Sequence, residues 1–280
     1  MDRDSKIIAV GGIKHGQGMT SITYNLAYKL STILSKSILI IDTNFLFKEL
    51  SYIAEQNGTT NGIDDLIAMV KTQDIPQDVF MLHTGQINKN LRIVNSTQID
   101  AMDYIKKNID NMVKILDVAK KYFDIIVIDA SAGINNSLIK ALYDKCDAFV
   151  NVLSQTPYII DWFMNHDEYK GDKVINVINM YDEEVYPNER DLRRDFELED
   201  VLTLRYSADF KNYYNQKILD PFYITGDAFN TDFEELIVRI GNKIKLTELD
   251  NLDITNTNML VKAQEPKKKS GFLSGVFGKK

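Results

Sequence analysis

The sequence predicts an α/β protein: a doubly wound, mostly parallel sheet with helices on both faces, followed by a flexible C-terminal tail. Three observations predict it. Apolar, β-branched runs of five to seven residues recur along the chain, helical patterns fall between them, and the first run leads straight into a glycine-rich turn.

The runs are KIIAV (6–10), SILIID (37–42), FDIIVID (123–129), AFVNVL (148–153), VINVINM (174–180) and LTLRY (202–206). Their apolar character is continuous rather than alternating, as in parallel strands covered on both faces. Helices are expected near 20–34, 62–71, 100–121, 134–145, 189–199 and 231–246. Within 100–121, Met102, Ile105, Ile109, Met112, Val113, Leu116 and Ala119 keep helical spacing. Strand–helix alternation with right-handed crossovers gives the doubly wound architecture. Ligands there sit at the carboxyl ends of the strands, near the topological switch point. From 247 the core periodicity stops, so a folded domain over 1–246, a polar linker over 247–266 and a tail over 267–280 are expected.

At 44% hydrophobic and 26% charged residues, a chain of 280 residues suits one large core. No apolar run reaches the roughly 18 residues that span a bilayer, and the opening residues lack a signal-peptide pattern. The single cysteine, Cys146, excludes an internal disulfide and suits a reducing cytoplasm. The net charge of −7 conceals an asymmetry: residues 267–280 carry five lysines and no acid, which leaves the rest at −12. An acidic body argues against a broad nucleic-acid-binding face.

The turn reads AVGGIKHGQGMTSITYNLAYKL over 9–30. A strand, glycines and then a helix aim backbone N–H groups at one point and attract an anion. Gly16 and Gly18 permit close backbone approach, and Thr20, with Ser21 beside it, stands where a hydroxyl would ligate Mg²⁺. The G-x-x-x-x-G-K-[ST] pattern is broken twice, at Ile13 and at Met19, the lysine position. Taken alone, the loop is compatible with either a nucleotide site or a degenerate turn. Two strands add to it by ending in carboxylates, Asp42 and Asp129, the second followed by small residues and Gly133. Carboxylates at strand ends beside a phosphate loop can position a metal or a water.

These segments together resemble the MinD/ParA family of deviant Walker-A ATPases, whose loop runs K-G-G-x-G-K-[ST]-[ST]. KHGQGMTS (14–21) matches at Lys14, Gly16, Gly18, Thr20 and Ser21 and departs at His15 and Met19. FDIIVIDASAGINNSLIKAL is similar to the family's second aspartate segment, and VINMY is similar to its N-R-Y element. The resemblance covers roughly residues 6 to 245. It implies ATP with Mg²⁺ as ligand, the loop residues Lys14 to Ser21 with Gln17 around the phosphates, Thr20, Asp42 and Asp129 near the metal, and Asn179 reading adenine. Lys14 becomes the signature lysine, which in relatives reaches across an ATP-sandwiched homodimer. A second family aspartate is here Asn44, and an amide orients water but cannot take up a proton. Met19 removes about 1.5–3 kcal/mol of charge-assisted bonding to phosphate. Hydrolysis carried by Lys14, Asp42 and Asn44 is therefore expected to be slow or absent.

His15 could contact phosphate or be a solvated loop residue. His83 and His166 lack neighbours at metal-ligand spacing. The aromatic segment 209–223 is read as core and helix packing, and 180–200 as a charged surface helix.

The tail, EPKKKSGFLSGVFGKK, would place Phe272, Leu273, Val276 and Phe277 on one helical face, flanked by Lys267, Lys268 and Lys269 and by the terminal lysine pair. That arrangement describes an interfacial helix drawn to anionic lipids. It is also similar to the membrane-targeting end of the family's MinD branch. The expectation is a nucleotide-dependent dimeric switch, peripheral to the inner face of the cell membrane, that positions a larger assembly through an unknown protein partner. The alternatives are an inactive, membrane-anchored scaffold and a DNA-partition ATPase.

Overall fold

The computed structural model describes residues 3–45, 48–54, 62–72, 74–96, 104, 107–133, 137–167, 170–217 and 228–249. Eight strands form one sheet: β1 (Lys6–Gly12), β2 (Ile38–Asp42), β3 (Gly85–Gln86), β4 (Leu91–Val94), β5 (Ile125–Ala132), β6 (Ala148–Ser154), β7 (Val174–Tyr181) and β8 (Leu202–Arg205). Their order is β3-β4-β2-β5-β1-β6-β7-β8, parallel throughout except for the antiparallel β3–β4 pair. The doubly wound parallel sheet was legible from the six apolar runs; the β3–β4 edge was not, because LRIV is short and carries Arg92 at its centre.

Ten helices are described: α1 (Met19–Ile33), α2 (Glu49–Ile53), α3 (Ile63–Val70), α4 (Gln77–Leu82), α5 (Ile109–Ala119), α6 (Ser137–Lys145), α7 (Pro157–Met164), α8 (Glu189–Phe196), α9 (Ala208–Asn215) and α10 (Ala228–Ile244). They clothe both faces of the sheet. Ile8, Val10, Ile38 and Ile40 pack toward α1 and α10, whereas the intervening Ile7, Ala9, Leu39 and Ile41 pack toward α3, α5 and α6. Burial on both faces explains why the strands read as unbroken apolar runs. A third cluster joins α7 and α8 to β6 and β7 through Leu153, Ile160, Phe163, Ile178 and Leu192.

Several expectations need correction. The helix expected over 100–121 is described as Ile109–Ala119, and most of its first turns lie outside the described residues. Of the segment 209–223, residues 218–223 lie outside the described residues; the rest packs as expected, since α9, although it has no fully buried residue, sets Phe210 and Tyr214 against the core, with the Phe210 and Phe229 ring centroids 4.3 Å apart. The charged segment does form a surface helix, α8, opened by an Asn188–Asp191 capping box. Leu249, past the expected boundary at 246, is buried in a 3₁₀ turn (Thr247–Leu249) against Gly241 of α10. Phe272, Leu273, Val276, Phe277 and Lys267 to Lys269, expected from sequence to meet a membrane, lie outside the described residues. Among the described residues, no helix is long and apolar enough to cross a membrane.

Candidate functional site

β1 lies at the centre of the sheet between β5 and β6, and the glycine-rich loop leaves its carboxyl end. Gly16 and Gly18 have φ of 81° and 84°, in the left-handed region where a side chain is strained. A Cβ on Gly16 would meet nothing within 4 Å, so the loop is open there, whereas one on Gly18 would lie 2.3 Å from the Asn179 amide nitrogen. Gly18 is the N-cap of α1, contributes no side-chain cap, and the first turn holds no acid. The first N–H groups of a 15-residue helix are thus left aimed out of its end, where the helix dipole favours an anion.

The loop is braced from below. Asn179, on β7, donates from Nδ2 to the Gln17 carbonyl at 2.8 Å. With its amide oriented so that both ends are satisfied, Gln17 donates to the carbonyls of Lys14 at 3.1 Å and Val152 at 2.9 Å and accepts from Ser154. The Ser21 hydroxyl donates to the Gly18 carbonyl at 2.8 Å, and the Thr23 hydroxyl to that of Met19 at 2.9 Å. Among the described residues the Thr20 hydroxyl has no such partner. Met19 is 4% exposed, and a Cβ on Gly12 would lie 3.0 Å from its sulfur. The thioether therefore folds back under the loop and joins the core beside Ile8 and Val10.

Asp42 and Asp129 are register partners across β2 and β5, and both are fully buried. Asp42 accepts from the Asn44 N–H at 2.9 Å and from the Ser51 hydroxyl at 3.3 Å. Burial, and then the Asp129 carboxylate, push the Asp42 carboxyl well above the usual carboxylate range despite those two donors.

A cavity of about 700 Å³ opens at the carboxyl ends of the strands. Of the residues singled out from sequence, Gly16, Gly18, Met19, Thr20, Ser21, Asn44 and Asn179 line it, as does His15. Lys14, Gln17, Asp42, Asp129 and Gly133 do not; Lys14 is exposed, and both aspartates lie one layer behind the wall. Much of the remaining wall went unforeseen, including Lys48 and Glu49 at the start of α2, Tyr206 and Ser207 after β8, Phe210 and Tyr214 on α9, and Phe229 on α10. The only sequence signal for these was their place after the carboxyl ends of β2 and β8. The Tyr214 hydroxyl donates to Glu49 at 3.0 Å, linking α9 to α2.

A nucleotide with Mg²⁺ fits this donor set. Backbone N–H groups at the uncapped start of α1 would face an anion, and Mg²⁺ is ordinarily held by one or two carboxylates together with phosphate oxygens and waters. Asp42, Asp129 and Thr20 supply oxygen donors of that kind. Among the described residues no three His, Cys, Asp or Glu side chains gather as a separate metal site. His83 instead pairs with Asp65 at 3.1 Å, and His166 stacks on Trp162 with centroids 3.7 Å apart.

The sheet order, loop and helices match solved structures over most of the chain. A ParA-family ATPase from Chlorobium tepidum TLS superposes with a TM-score of 0.68 at 13% identity, covering 84% of this chain and 99% of that one. The septum site-determining protein MinD complexed with Mg-ADP, from Pyrococcus horikoshii OT3, also gives 0.68, at 15% identity over 87% and 98% of the two chains. In sequence, a septum site-determining MinD-type protein of Emiliania huxleyi is 28% identical over 177 residues, 62% of this chain and 58% of that protein. The chain has the MinD/ParA fold and resembles that family in sequence. This MinD/ParA-like chain spans little more than half the length of the curated relatives it matches. No protein-family model matches it.

Proposed function

We propose that the chain is a MinD/ParA-like nucleotide switch that binds ATP with Mg²⁺ and acts as a dimer at the inner face of the cell membrane. The observation that carries this reading is the braced, left-handed Gly16–Gly18 loop opening α1 into a cavity that Asn179 also lines. The phosphates lie on the loop around Gly16, Gly18, Thr20 and Ser21, with Gln17 holding the loop in place. The metal lies toward Thr20, Asp42 and Asp129, with Gly133 at the turn beyond. The base lies toward Asn179, whose amide nitrogen is already committed to the loop and whose oxygen is left to accept from an amine. Lys14 is directed to the partner protomer, and 267–280 is the lipid-binding segment. A single short anchor binds weakly, so two anchors on one dimer gain through effective concentration. Nucleotide then governs attachment, and the assembly it positions is division machinery or a comparable envelope structure.

One observation favours a second reading, a membrane-anchored scaffold without turnover: the buried Met19 thioether occupies the loop where a lysine would pair with phosphate. Liposome co-sedimentation separates the two. The full chain should pellet with anionic vesicles in Mg-ATP and remain free without nucleotide, while a 1–265 truncation should stay in solution in both. Equal pelleting of both proteins removes the anchor. Pelleting of the full chain that ignores ATP supports the scaffold.

A further inference from the structure

We infer that Lys48 supplies the phosphate-directed positive charge that the loop itself lacks at Met19. This rests on the nucleotide reading above and adds a residue to that site. Among the described residues, five basic side chains stand in or beside the loop and its cavity. Lys14 is exposed and does not line the cavity within one protomer. Arg205 lines it but is held by Asp232 through Nε at 2.8 Å and a terminal nitrogen at 2.6 Å. Lys211 is exposed on α9, one residue past Phe210, whose ring lies against Phe229 at the β8 side of the cavity. His15 is exposed on the loop, and its short imidazole lacks the four-carbon reach of a lysine.

Lys48 differs from all of these. It is half-buried on the cavity wall, and among the described residues it has no carboxylate partner. Topology puts it at the phosphate end. From the loop on β1, Asn179 and Tyr206 stand to one side on β7 and after β8, whereas Asn44 and Lys48 follow β2 on the other side. A nucleotide with its base over β7–β8 and its phosphates over the loop points its terminal phosphate toward β2. Lys48 is also held in place there. Ser51 ties α2 to Asp42 at 3.3 Å, and Glu49 is fixed by the Tyr214 hydroxyl at 3.0 Å, so the acid beside Lys48 is turned to α9. A lysine is a mobile point charge on a four-carbon stem, suited to phosphate without a fixed fork geometry.

The test is titration calorimetry of the full chain with Mg-ATP and with adenosine, on the wild type, Lys48→Gln, Lys48→Arg and Lys48→Gln combined with Met19→Lys. Gln keeps most of the stem and removes only the charge, and thermal melting confirms that each variant is folded. Lys48→Gln should weaken ATP roughly tenfold or more, the usual cost of a lost charge-assisted bond. Adenosine binding should be unchanged, Lys48→Arg should retain ATP within a few-fold, and Met19→Lys should restore the loss. Folded Lys48→Gln that binds ATP as the wild type does overturns the inference and leaves the nucleotide reading standing. So does an equal loss of ATP and adenosine, or a loss that Met19→Lys fails to restore. A wild type that binds neither ligand overturns the nucleotide reading, and this inference with it.

Discussion

Gly18→Ala is the sharpest probe of the loop, because the structure gives it two separate costs. The residue has φ of 84°, where an alanine is strained by about 1–2 kcal/mol. Its new Cβ would lie 2.3 Å from the Asn179 amide nitrogen, so Asn179 must turn away. Turning breaks the 2.8 Å bond to the Gln17 carbonyl, worth about 1 kcal/mol for a neutral pair. The expected destabilisation is therefore about 2–3 kcal/mol, with each kcal/mol lowering the melting temperature by about 2–4 °C in a chain of this size. Asn179→Ala removes the obstacle and the bond together. Gly18→Ala on that background should then cost only the backbone strain, a coupling of about 1 kcal/mol in a double-mutant cycle. Urea unfolding of the four proteins measures it. A single Gly18→Ala that costs less than about 0.5 kcal/mol, or strict additivity in the cycle, would refute the account of the loop as braced by Asn179.

Three further outcomes are expected. Asp42→Asn should stabilise the metal-free chain at neutral pH. Because the folded carboxyl titrates above its unfolded value, the wild type loses stability as pH rises from the ordinary carboxylate range through that raised value. Melting in chelator from pH 4 to 8 should show a gap between the two proteins that widens with pH; a constant gap counts against the buried carboxyl. Asp232→Ala removes the acceptor for the Arg205 backbone N–H at 2.9 Å and for its guanidinium, at the edge strand β8. The cost should be about 1.5 kcal/mol, toward the low end for a charged bond because the guanidinium is 41% exposed, and an unchanged urea midpoint would contradict it. Cys146, buried under α6 with its thiol pushed up to about 12, should resist thiol reagents at pH 8 until the chain unfolds. Rapid stoichiometric labelling of the native protein would show the site to be open.

The central sheet was readable because burial on both faces makes β1, β2, β5, β6 and β7 continuous apolar runs, and periodicity then located α1, α3 and α10 between them. Pattern fails where burial is shallow. α2 has five residues, α9 has none buried, and β4 is interrupted by Arg92, so none leaves a recognisable period. The candidate site divides along the same line. Glycines, Thr20 and the strand-end aspartates are local signals, legible because backbone geometry demands those residue types. Lys48, Tyr206, Phe210 and Phe229 reach the cavity only because β2 and β8 carry them there from positions far apart in the chain. Met19 was recognisable as a missing lysine, but its burial beneath Gly12 follows from packing. Gln17 and Asn179, expected from sequence as ligand contacts, are seen as structural supports of the loop.

The seating of Leu249 on Gly241 has a mechanical consequence. α10 begins at the cavity with Phe229 and ends with the 3₁₀ turn that Leu249 locks against it. Its 17 residues make a rod about 25 Å long, with one end on the ligand wall and the other at the Leu249 turn. The rod is continuous helix, buried along one face by Phe233, Leu236, Ile237 and Ile240, and so it is stiff. A tilt imposed at Phe229 would therefore be felt at Leu249 as a displacement of the whole turn rather than absorbed along the way.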